Sequence, residues 1–186
     1  MTKFFVRAVL ASAAAAVLLA GCTTKEPGNA TPASTSSAPS TGESSSSSGA
    51  ATTSSLDPCS LLSASDLASY GTFGEPRKRE AFGARSCGFI MKTQSASDPQ
   101  LGVDVNVRDA QGITTVNDNG KGIIPSQVNG REAKAVPTGS SNCILAMAVG
   151  TASRVDISIT STGDSTKACD TASQVANIVE PKLPKG

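Results

Sequence analysis

Past residue 55 the apolar positions of the chain fall into a few periodic segments. Val103, Val105 and Val107 alternate with Asp104, Asn106 and Arg108. Val155, Ile157 and Ile159 alternate with Asp156, Ser158 and Thr160. A period of two turns one face of a strand inward and the other toward water, so both segments predict half-buried strands. Cys87 to Met91 is a short apolar run, and Cys143 to Val149 is apolar at nearly every position, which places the latter centrally in a sheet. Gly150 to Ser153 makes a tight connection between the last two strands, as an antiparallel pair requires. Gln127-Val128 and Glu132 to Val136 flank Asn129-Gly130, a dipeptide suited to a two-residue hairpin turn. Near the end the period changes. Cys169, Ala172, Val175, Ala176 and Val179 recur at three and four residues, predicting a helix that opens at Ser165 and stops at Glu180-Pro181. Leu62, Leu67 and Tyr70, with Ser63 and Asp66 at capping-box spacing, predict a short helix ending at Gly71. The expected fold is therefore α+β: one small antiparallel sheet flanked by an N-terminal and a C-terminal helix.

Residues 1–55 follow different patterns. Lys3 and Arg7 precede an uncharged run from Ala8 to Ala20, the basic start and apolar stretch of a signal peptide, too short to span a bilayer. The run ends at Leu19-Ala20-Gly21-Cys22, which resembles a bacterial lipobox. The resemblance implies removal of residues 1–21 and a diacylglycerol on Cys22. Each buried acyl carbon contributes ~0.8 kcal/mol, so two chains hold firmly where one binds marginally. Residues 22–55 are then rich in Ser, Thr, Ala, Gly and Pro and lack Val, Ile, Leu and aromatics. Such a segment cannot offset its ordering entropy and reads as a disordered tether of roughly 30 Å typical span. Residues 56–186 remain as one globular domain.

Charge and chemistry narrow the reading. Without Lys3 and Arg7 the chain keeps 14 basic and 15 acidic residues, a balance that argues against nucleic acid as a partner. The one basic cluster, Arg77-Lys78-Arg79 with Arg85 nearby, follows Gly74-Glu75-Pro76 and is expected in a solvated loop. Beyond Cys22, four cysteines remain: Cys59, Cys87, Cys143 and Cys169. An even number in an exported domain reads as two disulfides, and four cysteines allow three connectivities. The preferred pairs are Cys59–Cys87 and Cys143–Cys169. Each closes a loop of under 30 residues, contributing about 3 kcal/mol, and each staples a predicted helix to a predicted strand. There is no histidine and no CxxC pair, so neither a zinc site nor an imidazole-based triad is expected. Asp109-Ala110-Gln111-Gly112 and Asp118-Asn119-Gly120 lack the full spacing of a calcium loop. No metal and no cofactor is expected.

Several local contexts combine into a family pattern. Pro58-Cys59-Ser60-Leu61-Leu62, Cys87-Gly88-Phe89, Asn129-Gly130-Arg131-Glu132-Ala133, Cys143 before a strand and Cys169-Asp170-Thr171-Ala172 occur in that order. With the lipobox, they resemble the actinobacterial lipoproteins grouped as domain of unknown function 3558. Phe89 stands where that family more often has Trp. The resemblance implies an envelope location and a compact oxidised domain, and no particular activity. The expected role is a non-catalytic binding or accessory module, held on the outer face of the cell membrane through Cys22. Its partner would be an envelope protein, a cell-wall polymer or a small ligand. The alternative is an envelope hydrolase using two carboxylates, for which Asp104, Asp109, Asp118, Asp156 and Asp170 are available. All five are more simply read as strand outer faces, turns or a helix start.

Overall fold

A computed structural model describes residues 51–185. The expected signal peptide, Cys22 and most of the expected tether lie outside the described residues. Seven strands, Arg77–Ala81 (β1), Ala84–Ile90 (β2), Leu101–Arg108 (β3), Ile124–Val128 (β4), Arg131–Thr138 (β5), Asn142–Val149 (β6) and Ser153–Ser161 (β7), form one antiparallel sheet in the order β1-β2-β3-β7-β6-β5-β4. The sheet is two meanders, β1 to β3 and β4 to β7, joined where β3 pairs with β7 from Leu101–Ser161 to Arg108–Arg154. The single α-helix among the described residues, Ser165–Val179 (α1), is capped by Asp164, whose carboxylate accepts from Lys167 N at 2.8 Å. It turns Ala172, Val175, Ala176 and Val179 into the core, as its spacing predicts, with Ala168 buried where Cys169 was expected and Cys169 half-buried beside it.

The alternation of β3 and β7 decides the two faces. Val103, Val105 and Val107 lie opposite Ile159, Ile157 and Val155, all buried. They share one core with Cys87, Phe89, Leu145, Met147 and the inward face of α1. The expected disulfides are both present, Cys59–Cys87 and Cys143–Cys169. The first ties the N-terminal segment to β2; the second ties α1 to β6. Asn129-Gly130 turns the β4–β5 hairpin with φ of 50° and 85°.

Three expectations are corrected. The N-terminal helix does not form. Residues 57–70 make single 3₁₀ turns at Pro58–Ser60 and Ser65–Leu67. The capping interaction is there, with Ser63 Oγ donating to Asp66 at 2.8 Å and Asp66 N donating back to Ser63 Oγ at 3.3 Å. It caps one turn only, because the segment is short, serine-rich and fixed at Cys59, and a helix nucleus of that length gains too little from its backbone bonds. Leu61, Leu62 and Leu67 are buried instead as an irregular apolar cover over the sheet.

The basic cluster is not a loop. Arg77, Lys78 and Arg79 form edge strand β1, exposed at every position. Lys78 pairs with Asp57, and Arg79 with Asp104. Arg85 lies on β2. Such charges on an edge discourage pairing with another chain, and Pro125 on the opposite edge strand β4 acts likewise.

The end of the tether is also packed. Thr53 is fully buried. Its hydroxyl donates to Asp109 at 2.7 Å, and its carbonyl accepts from Arg85 Nη2 at 2.9 Å. Arg85 also grips Asp109 through Nε and Nη2 at 2.9 Å each, and donates to the Leu56 carbonyl. The ordered domain thus begins earlier than the composition suggests.

Two measurements test these restraints. Replacing either cysteine pair by serine is expected to lower stability by roughly 3–4 kcal/mol, given loop separations of 28 and 26 residues, read as the denaturant midpoint of each double variant. The hydrogen bonds from Arg85, then that from Thr53, hold the Asp109 carboxyl below the usual carboxylate range. A depressed folded value contributes stability above the unfolded value and loses it as pH falls through the folded one. The melting temperature is therefore expected to drop below about pH 4, and Asp109→Asn should flatten part of that drop.

Candidate functional site

Opposite α1, the second face of the sheet carries the polar half of each alternation. Across β2, β3 and β7, Ser86 Oγ donates to Asn106 Oδ1 at 2.7 Å, and Asn106 Nδ2 donates to Ser158 Oγ at 3.0 Å. One residue pair further along, Arg108 and Arg154 stand directly opposite each other. Two like charges in that position repel. Asp156, two residues on from Arg154 and diagonal to Arg108, resolves the conflict. Its carboxylate accepts from Arg108 Nε at 2.5 Å and from Arg154 Nε at 2.8 Å. It is 2 % exposed, and the two arginines 17 % and 8 %.

This triad is buried because a strap crosses it. Residues 109–117 leave β3 and run over β7 and β6 on the polar face. Arg154 Nη1 donates to the Gly112 carbonyl at 2.9 Å and to Thr115 Oγ1 at 2.7 Å. Arg108 Nη1 reaches Gln111 Oε1 at 3.0 Å, and Lys134 Nζ reaches the Ile113 carbonyl at 3.1 Å. Gly112 permits the close approach: a Cβ there would lie 2.3 Å from the Thr151 carbonyl oxygen. Among the described residues the Nη2 atoms of both arginines carry none of these bonds.

Strap, sheet and the β1–β2 turn enclose a cavity of about 280 Å³. Arg108, Arg154 and Asp156 form its polar wall, and Val136, Ile144 and Ala146 its apolar floor. Phe82 forms the rim. It is 93 % exposed and holds φ of 53° in a two-residue turn with Gly83. A left-handed backbone costs a side-chain-bearing L-residue about 1–2 kcal/mol. Arg108 Nη1 donates to the Phe82 carbonyl at 2.8 Å, so the guanidinium that pairs with Asp156 also fixes this turn.

A family model described as "Protein of unknown function (DUF3558)" matches residues 17–182. The chain belongs to this family. No curated protein and no solved structure matches the chain. The DUF3558 description assigns no activity, so the chemistry of the site has to be read from its own residues.

The five carboxylates available to a hydrolase are not brought to one site in this DUF3558 domain. Asp104 and Asp156 share the polar face on neighbouring strands, but both are engaged by arginine. Asp109 is held by Arg85 at the strand end. Asp118 closes a turn, accepting from the backbone N–H groups of Gly120, Lys121 and Gly122 at 2.8–3.1 Å. Asp170 is exposed on α1, across the sheet. Sequence reasoning passed over Arg108, Arg154 and Phe82. Phe82-Gly83 between two strands was the available signal for the turn; the arginines required the β3–β7 register.

Asp156→Asn removes the carboxylate between one buried and one half-buried guanidinium. Leaving charges uncompensated costs about 3–5 kcal/mol, against well under 1 for an exposed ion pair. The expected result is a loss in that range by chemical denaturation, while Lys78→Ala, at an exposed pair, stays within about 0.5 kcal/mol of the parent.

Proposed function

We propose that this protein is a lipid-anchored extracytoplasmic binding module without catalytic activity of its own. Its N-terminal residues support the anchor: a basic start, an apolar run too short to span, and Leu19-Ala20-Gly21-Cys22. Two disulfides in a domain of this size suit an oxidising compartment. The observation that carries the binding reading is the unequal use of the sheet. One face is sealed by α1 and the N-terminal cover, while the other holds a polar cleft with an apolar floor. A glycosidase-type carboxylate pair needs one member that keeps its proton and a second free to act on the substrate. Here Asp104 and Asp156 are both tied to guanidiniums, which supports recognition over hydrolysis. A tether on Cys22 would raise the domain's effective concentration near the membrane while leaving its orientation free.

The test is to express the full chain in a lipoprotein-processing bacterium and compare it with Cys22→Ala. The parent should partition into membranes and give a mass of residues 22–186 plus acyl chains, rising by about four hydrogens on reduction. The variant should be released. A soluble, unacylated parent with free thiols would overturn the anchor. Turnover in a glycoside or ester hydrolysis screen, lost in Asp104→Asn or Asp156→Asn, would overturn the non-catalytic reading.

A further inference from the structure

The cleft beneath Phe82 sets charged side chains beside apolar ones. Its lining carries two cationic side chains, Arg108 and Arg154, against one anionic one, Asp156. The carboxylate is satisfied by both Nε atoms, and each guanidinium spends one Nη on backbone or amide oxygens of the strap and turn. The lining is thus left with one positive charge in excess. Guanidinium groups match carboxylate geometry and hold it more strongly than neutral partners do. A cation would be repelled, and a dianion would exceed the available charge.

Beside these groups lies a floor of a different kind. Val136 and Ala146 are fully covered on a face where strand alternation otherwise places polar residues, and Ile144, opposite Val136 and half-buried, presents the apolar surface of the cavity wall. Above them stands Phe82, in a backbone conformation that Asn or Gly would hold with less strain. For the free domain an exposed ring on a strained turn is unfavourable twice over. Strain of this kind, held in place by a neighbouring ion pair, points to a use of the side chain. At about 280 Å³ the cavity falls just below the ~300–1,000 Å³ of drug-sized sites, which limits an occupant to a single ring or a short branched chain.

We infer that this cleft binds a small organic monoanion: a carboxylate on the Arg108 and Arg154 guanidiniums, joined to a compact apolar body held between Phe82 and Ile144. This rests on the binding-module reading and gives it a ligand class. It does not depend on the anchor, so a soluble protein that binds, or a lipidated one that does not, separates the two.

The full chain is titrated by calorimetry with phenylacetate, phenylacetamide, phenethylammonium and acetate. Phenylacetate should bind saturably with a Kd on the order of 0.1–1 mM, at least tenfold tighter than the neutral amide, the cation or the anion lacking a ring. Phe82→Asn should weaken phenylacetate at least fivefold while leaving the melting temperature unchanged or raised, because Asn tolerates the left-handed turn. Arg108→Gln should erase the preference for acid over amide. Since Arg108 also pairs with Asp156, Phe82→Asn, which removes no ion pair, decides the matter if that variant does not fold. Equal affinity for acid and amide, absence of saturable binding, or a Phe82→Asn chain that binds like the parent would each overturn the inference.

Discussion

The pairing of β3 with β7 is the constraint on which the rest of this domain depends. It joins two strands some fifty residues apart in sequence and turns two separate meanders into one sheet. The seam brings three valines against Val155, Ile157 and Ile159 on one side, and forces Arg108 against Arg154 on the other. The first consequence supplies the core. The second creates an electrostatic conflict that only a buried acid resolves, and Asp156 in turn fixes both guanidiniums that hold the strap. Core, triad and cleft are three outcomes of one register, since a slip of one residue would exchange the two faces.

Much of this architecture was legible in the chain, for reasons that differ by element. β3, β7 and α1 each bury one face completely, so their periods of two and 3.6 are written in apolar residues. Asn129-Gly130 marks the β4–β5 turn and Glu180-Pro181 the end of α1, through backbone chemistry that few other residues share. β1 left no such trace, because an edge strand exposed at every position needs no apolar face, and Arg77-Lys78-Arg79 therefore looked like a loop. The N-terminal helix was read from real features, a cap and three apolar positions. A disulfide at Cys59 and the demands of covering the sheet overrode the local signal.

The candidate site was the least legible part, and the reason is geometrical. Alternation correctly places Arg108, Arg154 and Asp156 on the outward side of their strands. It carries no information about what crosses that side afterwards. The strap is polar, contains one short 3₁₀ turn, and is held chiefly by bonds from arginine and lysine to its carbonyls rather than by its own pattern. Only Gly112, where the chain passes within reach of Thr151, and Ile113, buried beneath it, hint at the crossing. Burial there is imposed by a tertiary contact, so polar residues that look solvated in the sequence end up as a largely covered ion triad.

The placement of the two covalent links bears on how such a chain acquires its shape. Cys59–Cys87 joins the N-terminal segment to the first meander and Cys143–Cys169 joins the second meander to its helix; neither crosses the seam. A chain emerging N-terminus first presents Cys59 and Cys87 to an oxidant while Cys143 is still 56 residues behind Cys87. With Cys22 acylated as proposed, the four remaining thiols meet their native partners in order of appearance, and both non-native connectivities require waiting for a later thiol. Vectorial emergence alone favours the native pairs, leaving the noncovalent closing of β3 on β7 as the step that unites two halves already oxidised.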